Sequence, residues 1–372
     1  MIIDLHTPTA VVFGRGRLAE LGERVNSLGG RALLVSGRNA MRRHGVLHTV
    51  VTTLAQAGVK ATVFDGVSEN PLASEVDAAV ELARSANCDV IIGLGGGSAI
   101  DAAKTTAIGL RDGPVAPLVG TTLAARGGTL PVVAVPTTAG SGAEVTKGAI
   151  ITDAGRDLKA GIRGADLFPT VAIVDPDLLL TVPVGIAVAT GFDALAHAVE
   201  GCVARKANPV TRAFAQQALA ILGRRLPEVA AGDGGAALRD DLALAALLGG
   251  LNVATASTCL PHRLQQAMGS VPRVRISHGR GLAAVYPAWL RRALPHAGEQ
   301  FCEIAGLLGP GDPDTAIGRI IDKTGAGGGL GAHGFLRHDL DTLVGGVTGN
   351  TDNDPIPSVD RDVVRAIYQE SF

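Results

Sequence analysis

The sequence has few of the features that mark secreted, membrane-spanning or disulfide-stabilised proteins. Only four of its 372 residues are cysteine, and no two of them form a CxxC pair. Cysteines this sparse indicate reduced thiols in a reducing compartment. The N-terminal segment MIIDLHTPTAVVFG lacks the basic region of a signal peptide, and no apolar run approaches the roughly 20 residues of a membrane span. We therefore expect a cytoplasmic protein with no membrane partner.

The sequence also lacks an excess of charge of either sign. It has 33 basic and 35 acidic residues, a formal net charge of −2 and no long basic run, which argues against nucleic acid as a partner. Hydrophobic residues make up 47% of the chain and charged residues 18%, so the chain can bury a substantial core. Its length suits two domains of roughly 100–200 residues each.

The first half of the chain alternates short apolar runs with amphipathic stretches. The runs are rich in valine and isoleucine and often apolar throughout, which is typical of strands buried on both faces of a parallel sheet. The predicted strands are residues 11–14, 32–36, 61–65, 90–94, 132–136 and 171–175, and the first predicted helices are 18–28, 46–57 and 72–86. This order predicts a doubly wound α/β domain of the dinucleotide-binding kind.

After Pro183 the strand pattern stops and helical patterns follow. The predicted helices are residues 185–205, 209–226, 236–254, 278–308 with a break near Pro295, 314–323 and 360–370. A proline suits the first turn of a helix, so the change of pattern at Pro183 predicts the boundary. We expect an α/β domain over residues 1–183 and an all-helical, metal-binding and catalytic domain over residues 184–372.

A glycine-rich loop follows the predicted strand 90–94 and leads into a helix. Its residues Gly95, Gly96, Gly97 and Ser98 offer bare backbone N–H groups at a helix N-terminus, which is a site for an anion such as a pyrophosphate. The Ser98 hydroxyl could cap the helix or donate to a phosphate. The alternative is a tight strand–helix turn without a ligand. Two other glycine-rich segments, 14–16 and 325–334, lack the third glycine or the preceding strand, so we discount them.

A carboxylate and an imidazole lie one helical turn apart in the segment TGFDALAHAVEG. Asp193 and His197 are four residues apart, so they share one helix face and could bind one divalent metal. A surface ion pair or a helix cap is the alternative, although the residues between them are small or apolar. His262 and His278 lie in the same helical half, and they become candidate ligands only if the fold brings them to this pair.

Three segments together resemble the iron-containing (group III) alcohol dehydrogenases. They are GGGSAIDAAK at residues 95–104, PTTAGSGAEVT at 136–146 and TGFDALAHAVEG at 190–201. The resemblance runs from about residue 12 to about residue 294 and is weak after about residue 309. It implies a nucleotide-binding α/β domain followed by a helical domain, and a nicotinamide- and metal-dependent enzyme.

The resemblance also implies the site residues. The metal ligands would be Asp193, His197, His262 and His278, holding Fe²⁺, with Zn²⁺ or Mn²⁺ also suited to the same ligands. The residues that would bind NAD or NADP are Gly95, Gly96, Gly97, Ser98, Asp101, Thr137, Thr138, Ser141 and Lys159. A small-molecule alcohol or aldehyde would be the substrate, and we expect a homodimer.

The sequence departs from the family where a further histidine usually follows the third ligand by four residues. Gln266 occupies that position, and the segment from Gly269 to His278 is about two residues longer than usual. The family histidine is thought to help proton transfer near the nicotinamide. Since glutamine does not titrate near neutral pH, the departure puts the proton relay in doubt and leaves the metal ligands unaffected.

Two further features bear on specificity. Gly37 stands after the second strand, where NAD-preferring enzymes commonly place an acidic residue, and Arg38 could pair with a 2′-phosphate, so we expect NADPH to be used at least as well as NADH. Arg38 as a merely solvated loop residue is the alternative. Four arginines lie between or beside the candidate ligands His262 and His278, and they suggest a small anionic aldehyde as the substrate. The alternative is that these arginines are merely solvated. They are Arg263, Arg273, Arg275 and Arg280.

Two rival functions remain open from the sequence. One is a lyase resembling dehydroquinate synthase, which uses both NAD and a metal and regenerates its cofactor. The other is a non-catalytic binding protein that kept the fold and lost the relay histidine. The TGFDALAHAVEG segment favours the dehydrogenase over the lyase, and an intact set of ligands argues against a non-catalytic relative.

Overall fold

The computed structural model describes residues 3–372, which form two compact units. The α/β unit comprises Thr7–Thr138 and Ala143–Val182. The helical unit comprises Pro183–Phe372 together with Ala139–Gly142 and residues 3–6. The short segment Ala139–Gly142 therefore groups with helices that begin more than 40 residues later in the chain, which the sequence does not predict.

The core of the α/β unit is a six-stranded, all-parallel sheet with the order β1-β8-β5-β4-β2-β3. Its strands are β1 (Ala10–Phe13), β2 (Arg31–Gly37), β3 (Lys60–Val67), β4 (Val90–Gly95), β5 (Val132–Pro136) and β8 (Val171–Val174). The six predicted strands are confirmed within about two residues at each end. The chain runs from β2 outward to β3 and then returns to the other side of β2 as β4, so the strand order reverses between β2 and β4.

Helices cover both faces of this sheet, as the doubly wound prediction requires. The helices of this unit are α1 (Leu21–Asn26), α2 (Ala40–Arg43), α3 (Val46–Gln56), α4 (Ala73–Ser85) and α5 (Gly97–Asp112). Along β2, Leu33 and Val35 enter one apolar cluster with α4 and α5, whereas Ala32 and Leu34 enter the other with α1 and α3. All four side chains are fully buried, which explains why the strand is apolar throughout.

The sequence interpretation missed an antiparallel hairpin in the α/β unit. Strands β6 (Gly148–Asp153) and β7 (Leu158–Arg163) pair from Gly148 opposite Arg163 to Asp153 opposite Leu158. The side chains of β6 alternate strictly between half-buried and buried, which is the period of two that marks a half-buried strand. Asp157, in the turn, has a left-handed backbone conformation with φ of 48°.

The helical unit contains no strand among its described residues, which confirms the predicted class. Its helices are α6 (Val184–Val203), α7 (Pro209–Ala230), α8 (Ala236–Ala256), α9 (Leu260–Ala267), α10 (His278–Ala293), α11 (Gly298–Leu308), α12 (Pro313–Thr324), α13 (Leu340–Gly346) and α14 (Arg361–Glu370). The expected break near Pro295 is a short 3₁₀ turn between α10 and α11. Helices α9 and α13 were not delimited in advance, because eight and seven residues are too few for a clear helical period.

Helix α6 is long and apolar enough to meet the length and composition of a membrane span, contrary to the expectation that no segment approaches it. However, 89% of its most apolar window is buried inside the structure, as in the core helix of a soluble protein. A second candidate arises only if α8 and the following helix are taken as one span, although they are bent by 99°. This is weak evidence for a membrane span.

Candidate metal centre and nucleotide-binding loop

Helix α6 carries three ionisable side chains along one face. Asp193, His197 and Glu200 are spaced by four and three residues, so they follow one another turn by turn. All three are buried, with at most 6% of each residue exposed. Burying an unpaired charge is expensive, so three such groups on a core helix require partners.

Three imidazoles converge on one carboxylate oxygen, Asp193 Oδ1. The Nε2 atom of His197 lies 3.7 Å from it, that of His262 3.5 Å and that of His278 3.3 Å. The ligand atoms of Asp193, His262 and His278 all lie within 4.8 Å of one another, a spacing that suits a single metal ion. Helices α6, α9 and α10 thus bring together all four residues that the resemblance implies as ligands.

The opposite ring nitrogen of each histidine has its own partner. His197 Nδ1 lies 3.3 Å from the carbonyl oxygen of Gly140. His262 Nδ1 lies 2.8 Å from both carboxylate oxygens of Glu200, and His278 Nδ1 pairs with the side-chain oxygen of Gln265. Because each partner is an oxygen acceptor, Nδ1 carries the proton and Nε2 is left as the metal-binding lone pair in the neutral imidazole.

The unsatisfied atoms of the cluster fit a cation. Asp193 Oδ1 and His262 Nε2 are fully buried and have no hydrogen-bond partner within residues 3–372. Buried polar atoms in native proteins are nearly always paired, so two orphans facing each other indicate a missing group between them. Three imidazoles and one carboxylate form a donor set that suits divalent iron, zinc or manganese.

The protonation of the cluster is set by burial and by its own charges. Burial lowers the pKa of His197 to about 4, so its ring is neutral at physiological pH. Burial also acts to lower the pKa of His262, but Glu200 and Asp193 outweigh it and raise this pKa to about 9. Burial acts to raise the pKa of Asp193, but the neighbouring imidazoles bring it well below its usual range. Asp193 is therefore an anion, and a metal must displace a proton from His262.

The glycine-rich loop lies at the end of β4 and the start of α5. Gly95 has φ of 148°, and a Cβ added there would lie 2.8 Å from that of Ala99, so only glycine fits this turn. Gly96 is the N-cap of α5 and has no side chain capping it, while Gly97 is the first helical residue. The hydroxyl of Ser98 donates to the backbone oxygen of Glu69, so it does not cap the helix.

Asp101 has structural partners. Its Oδ2 accepts a hydrogen bond of 2.8 Å from the backbone N–H of Ile150, and its Oδ1 lies 3.4 Å from Lys104 Nζ. The bond to Ile150 attaches β6 to α5, whereas the contact with Lys104 lies within α5. Lys159, the other candidate nearby in the sequence, lies on β7 opposite Thr152.

The remaining candidates of the PTTAGSG segment lie directly beyond β5. The backbone N–H of Thr137 donates to Gly95 O at 2.9 Å, and Thr138 Oγ1 would lie 3.0 Å from a Cβ added to Gly96. Both threonines thus lie beside the glycine-rich loop. Ser141 belongs to the short segment Ala139–Gly142, which is part of the helical unit.

The end of β2 lies next to the end of β4, since Ser36 is paired with Leu94. Gly37, the last residue of β2, and Arg38 therefore lie near the glycine-rich loop. The side chain of Arg38, 61% exposed, is not simply solvated: it donates to Glu75 Oε1 at 2.7 Å and to Gly66 O at 3.1 Å. The guanidinium that we expected to bind a 2′-phosphate is thus already paired with the carboxylate of Glu75.

Gln266 lies on α9, one turn after His262, and only 8% of it is exposed. Its side-chain oxygen accepts a hydrogen bond of 3.1 Å from Arg263 Nη1. Arg263 is itself buried, with 3% exposed, and also donates to Thr258 Oγ1. The structure therefore gives Arg263 partners inside the protein.

The other candidate substrate-binding arginines differ in their surroundings. Arg273 forms an ion pair with Asp339, and Arg280, on the first turn of α10, donates to Gly325 O at 3.4 Å. Arg275 is exposed. Of the four arginines, Arg273 already has a carboxylate partner and Arg263 donates to two neutral acceptors, which weakens the argument for an anionic substrate.

The sequence interpretation missed two residues that orient the candidate ligands. Glu200 follows His197 by three residues on the same face of α6, so its helical spacing is a signal that was available. Gln265 precedes Gln266 and pairs with a histidine that is 13 residues further along the chain, and no local pattern predicts this contact.

Comparison with known proteins shows the family. The family model for iron-containing alcohol dehydrogenase matches residues 8–176, and the model for the C-terminal part of the Fe-containing alcohol dehydrogenase family matches residues 187–372. An NAD-dependent methanol dehydrogenase of Bacillus methanolicus is 34% identical over 316 residues, which cover 81% of this chain and 79% of that protein.

Two further similar proteins point to the same family. A 1,3-propanediol dehydrogenase of Citrobacter freundii is 34% identical over 311 residues, covering 83% of this chain and 80% of that protein. The crystal structure of a 1,3-propanediol oxidoreductase matches with a TM-score of 0.94 and 30% identity over 100% of both chains. These matches confirm the resemblance found in the sequence: the chain belongs to the iron-containing alcohol dehydrogenase family.

Proposed function

We propose that this protein is a metal-dependent, NAD(P)-linked alcohol dehydrogenase that also reduces small aldehydes or ketones. The observation that carries the proposal is the convergence of three Nε2 atoms within 3.7 Å of Asp193 Oδ1. The proposed metal ligands are Asp193, His197, His262 and His278. In this division of labour, residues 1–183 bind the nucleotide and residues 184–372 hold the metal.

The residues of the cluster are suited to hold a divalent cation. Asp193 provides the negative charge, and Glu200 keeps the proton of His262 on Nδ1, so that Nε2 faces the metal position. A divalent cation bound there would lower the pKa of an alcohol and polarise a carbonyl, which is the help that hydride transfer needs. Family membership favours this reaction over that of a dehydroquinate-synthase-like lyase.

The geometry of the α/β unit supports a nucleotide site at the ends of β2 and β4. In open α/β sheets, ligands bind beyond the carboxyl ends of the strands where the strand order reverses, and here it reverses between these two strands. The bare N–H groups of Gly96 and Gly97 begin α5 there and suit a pyrophosphate. Gly95, Ser98, Asp101, Thr137, Thr138, Ser141 and Lys159 complete the proposed set.

The choice between NAD and NADP depends on how Arg38 is used. The sequence favoured NADPH, because Gly37 provides no carboxylate to repel a 2′-phosphate. The ion pair between Arg38 and Glu75 argues the other way, since a 2′-phosphate must compete with a carboxylate for the guanidinium. We therefore propose that NADH is used at least as well as NADPH, which reverses the expectation from the sequence.

The substrate is proposed to be a small alcohol or its aldehyde. Relatives with 34% identity are named for methanol and for 1,3-propanediol, both small and uncharged. The finer proposal of an anionic aldehyde rests on Arg275 and Arg280 alone, since Arg263 and Arg273 have internal partners. We also propose a cytoplasmic homodimer; light scattering of the purified protein tests the dimer.

A reconstitution assay tests the proposed function. The purified protein is stripped of metal and reloaded with Fe²⁺, Zn²⁺ or Mn²⁺, and absorbance at 340 nm is followed with each nucleotide and a panel of small alcohols and aldehydes. We expect a lasting change in absorbance that requires metal. A lyase would regenerate its nucleotide and show no net change, and a non-catalytic relative would bind metal without turnover.

A further inference from the structure

A buried polar segment near the C-terminus connects the helices that carry the metal centre. Asn353 and Asp354 lie in the loop between α13 and α14. Only 1% of Asn353 and none of Asp354 is exposed. Neither residue has a role in the site described so far, so their burial calls for an explanation.

The carboxylate of Asp354 joins two of the ligand-bearing helices. Its Oδ2 accepts hydrogen bonds from the backbone N–H of Leu260 at 2.8 Å and from Trp289 Nε1 at 3.0 Å. Leu260 is the first residue of α9, which carries His262, and Trp289 lies on α10, which begins at His278. The other oxygen, Oδ1, accepts from the backbone N–H of Ile356 at 3.0 Å.

The neighbouring Asn353 extends the connection to α6 and α8. Its side-chain N–H₂ donates to Ala256 O at 2.8 Å and Thr258 O at 3.1 Å, at the end of α8. Its backbone oxygen accepts from the N–H of Arg205, two residues beyond α6, at 3.0 Å. The side chain of Arg205 in turn donates to Asp354 O at 2.8 Å. This segment therefore contacts α9 and α10, which carry His262 and His278, and Arg205, which lies just beyond the helix that carries Asp193.

The N-terminus of α9 depends on these contacts. The helix has eight residues, and its N-cap Cys259 provides no capping side chain. Glu200 accepts the N–H of Cys259 at 2.6 Å and Asp354 accepts the N–H of Leu260, so two buried carboxylates take the place of a cap. His262 is the third residue of this helix, and its ring position follows from where the helix begins.

We propose that Asp354 is a positioning residue for the metal centre. By accepting hydrogen bonds from α9 and α10 on one oxygen, it fixes His262 relative to His278 at the spacing that a single cation requires. Outer partners of metal ligands set affinity because ligands that are held in place need no reorganisation on binding. The inference rests on the proposed function, since it requires these histidines to bind a metal.

The test is the affinity of the folded protein for Co²⁺. Asn has the shape of Asp, but Asp354→Asn removes the charge and places an N–H₂ group against at least one of three N–H donors. We expect Co²⁺ affinity, measured by competition with a chelator, to fall about 10–100-fold, with a changed Co²⁺ absorption spectrum. Thermal unfolding of the metal-free protein shows separately how much stability is lost.

Tyr368→Phe is the matched control. The hydroxyl of Tyr368 is also buried, also lies in the C-terminal segment, and donates to α9 at Leu264 O, at 2.7 Å, away from the helix N-terminus. We expect this variant to lose stability and keep its Co²⁺ affinity and spectrum. If it weakens Co²⁺ binding as much as Asp354→Asn does, the effect is general loosening of the helical unit and the proposal is wrong.

A second variant covers the case in which Asp354→Asn does not fold. Trp289→Phe keeps an aromatic ring but removes the N–H donor on α10, and we expect a smaller loss of Co²⁺ affinity in the same direction. Unchanged affinity in the folded variants overturns the positioning role. A wild-type protein that binds no Co²⁺ overturns the metal site itself and this inference with it, so the two failures can be told apart.

Discussion

Two buried charged clusters, one in each unit, differ in how completely their polar atoms are paired. In the α/β unit, Lys104 Nζ donates to Ala143 O at 2.9 Å and to Thr146 O at 3.2 Å, and lies 3.4 Å from Asp101. In the helical unit, Asp193 Oδ1 and His262 Nε2 have no hydrogen-bond partner among the described residues.

This difference separates a cluster whose charged groups have partners within the protein from one that requires a ligand. Burial lowers the pKa of Lys104, opposed by the charge of Asp101. Asp101 fastens β6 to α5 through Ile150, and Lys104 fastens residues 143–146, just before β6, to the same helix. The cluster around Asp193 has comparable burial but leaves its central atoms unpaired. Since unpaired buried polar atoms cost free energy, a cluster that keeps them needs a ligand to compensate.

Removal of a ligand should give the largest effect. In His262→Ala one donor atom is lost, and the remaining three ligands cannot keep the same geometry. We expect loss of bound metal and a fall in kcat/KM of more than about 10³-fold, because the cation provides several kcal/mol of the barrier lowering. Metal analysis and steady-state kinetics measure both. Full metal occupancy and activity in this variant would exclude the assignment of His262.

In the cluster around Lys104 and Asp101, a substitution should lower stability and leave metal binding unchanged. Lys104→Met keeps most of the side-chain stem but removes the buried positive charge 3.4 Å from Asp101. The free energy of unfolding should fall by about 3–5 kcal/mol, as when one partner of a buried ion pair is removed. Urea unfolding measures this, and Co²⁺ affinity should stay at the wild-type value. A variant that keeps its stability and loses metal would remove the distinction between the two clusters.

The pH dependence of metal binding should reflect the raised pKa of His262. Below pH 9 the ring carries the extra proton that a metal must displace, so apparent Co²⁺ affinity should fall by up to about tenfold per pH unit from pH 9 towards pH 6. The stability of the metal-free protein should change with pH in the opposite direction to metal affinity. Protonated His262 favours the folded state fully below its unfolded pKa of about 6.5, and this stabilisation is lost as pH rises through about 9.

Glu200→Gln provides the control for this pH effect. It removes the carboxylate that contributes most to raising the pKa of His262, so the slope of Co²⁺ affinity against pH should become shallower. Chelator competition at several pH values measures the slope. A wild-type affinity that does not vary between pH 6 and 9 would contradict the raised pKa.

A smaller effect is expected at the end of β2. In Glu75→Gln the charge that occupies Arg38 is lost, while glutamine can still accept the hydrogen bonds from Ser68 and Leu72. The KM for NADPH should fall about two- to fivefold, the range of an exposed ion pair, with the KM for NADH unchanged. Arg38→Ala should raise the KM for NADPH. Equal changes for both nucleotides would show that the pair does not contact the 2′ position.

The fold was predictable where burial is uniform. Strands such as β4, which are apolar on both faces, indicate a parallel sheet. Long helices such as α6 show a clear helical period in the sequence. The β6–β7 hairpin was missed although β6 alternates strictly, because its glycine and alanine residues make the alternation weak. Helix α9 has only eight residues, and its position is set by Glu200 and Asp354, which are distant in the sequence.

The candidate site was also predictable only in part, because most of its contacts join residues that are distant in the sequence. Asp193 and His197 share a helix turn, so spacing alone pairs them. His262 and His278 came from the family resemblance, and only the fold brings them to Asp193. The residues that orient the ligands are dispersed along the chain, and the contact of Asp354 with Leu260 spans 94 residues.

The smallest expected effect concerns Gln266, where the family usually has histidine. Gln266 lies one turn from His262 and is held by Arg263, so a histidine there would sit beside a guanidinium that opposes its protonation. We expect Gln266→His to add an ionisation to the kcat profile at or below about pH 6.5, whether or not the rate itself rises. Gln266→Met, which cannot titrate, should add none. Identical pH profiles for both variants, with unchanged metal content and KM, would place Gln266 away from the reacting atoms. In that case the proton would leave the substrate by a route independent of this turn of α9.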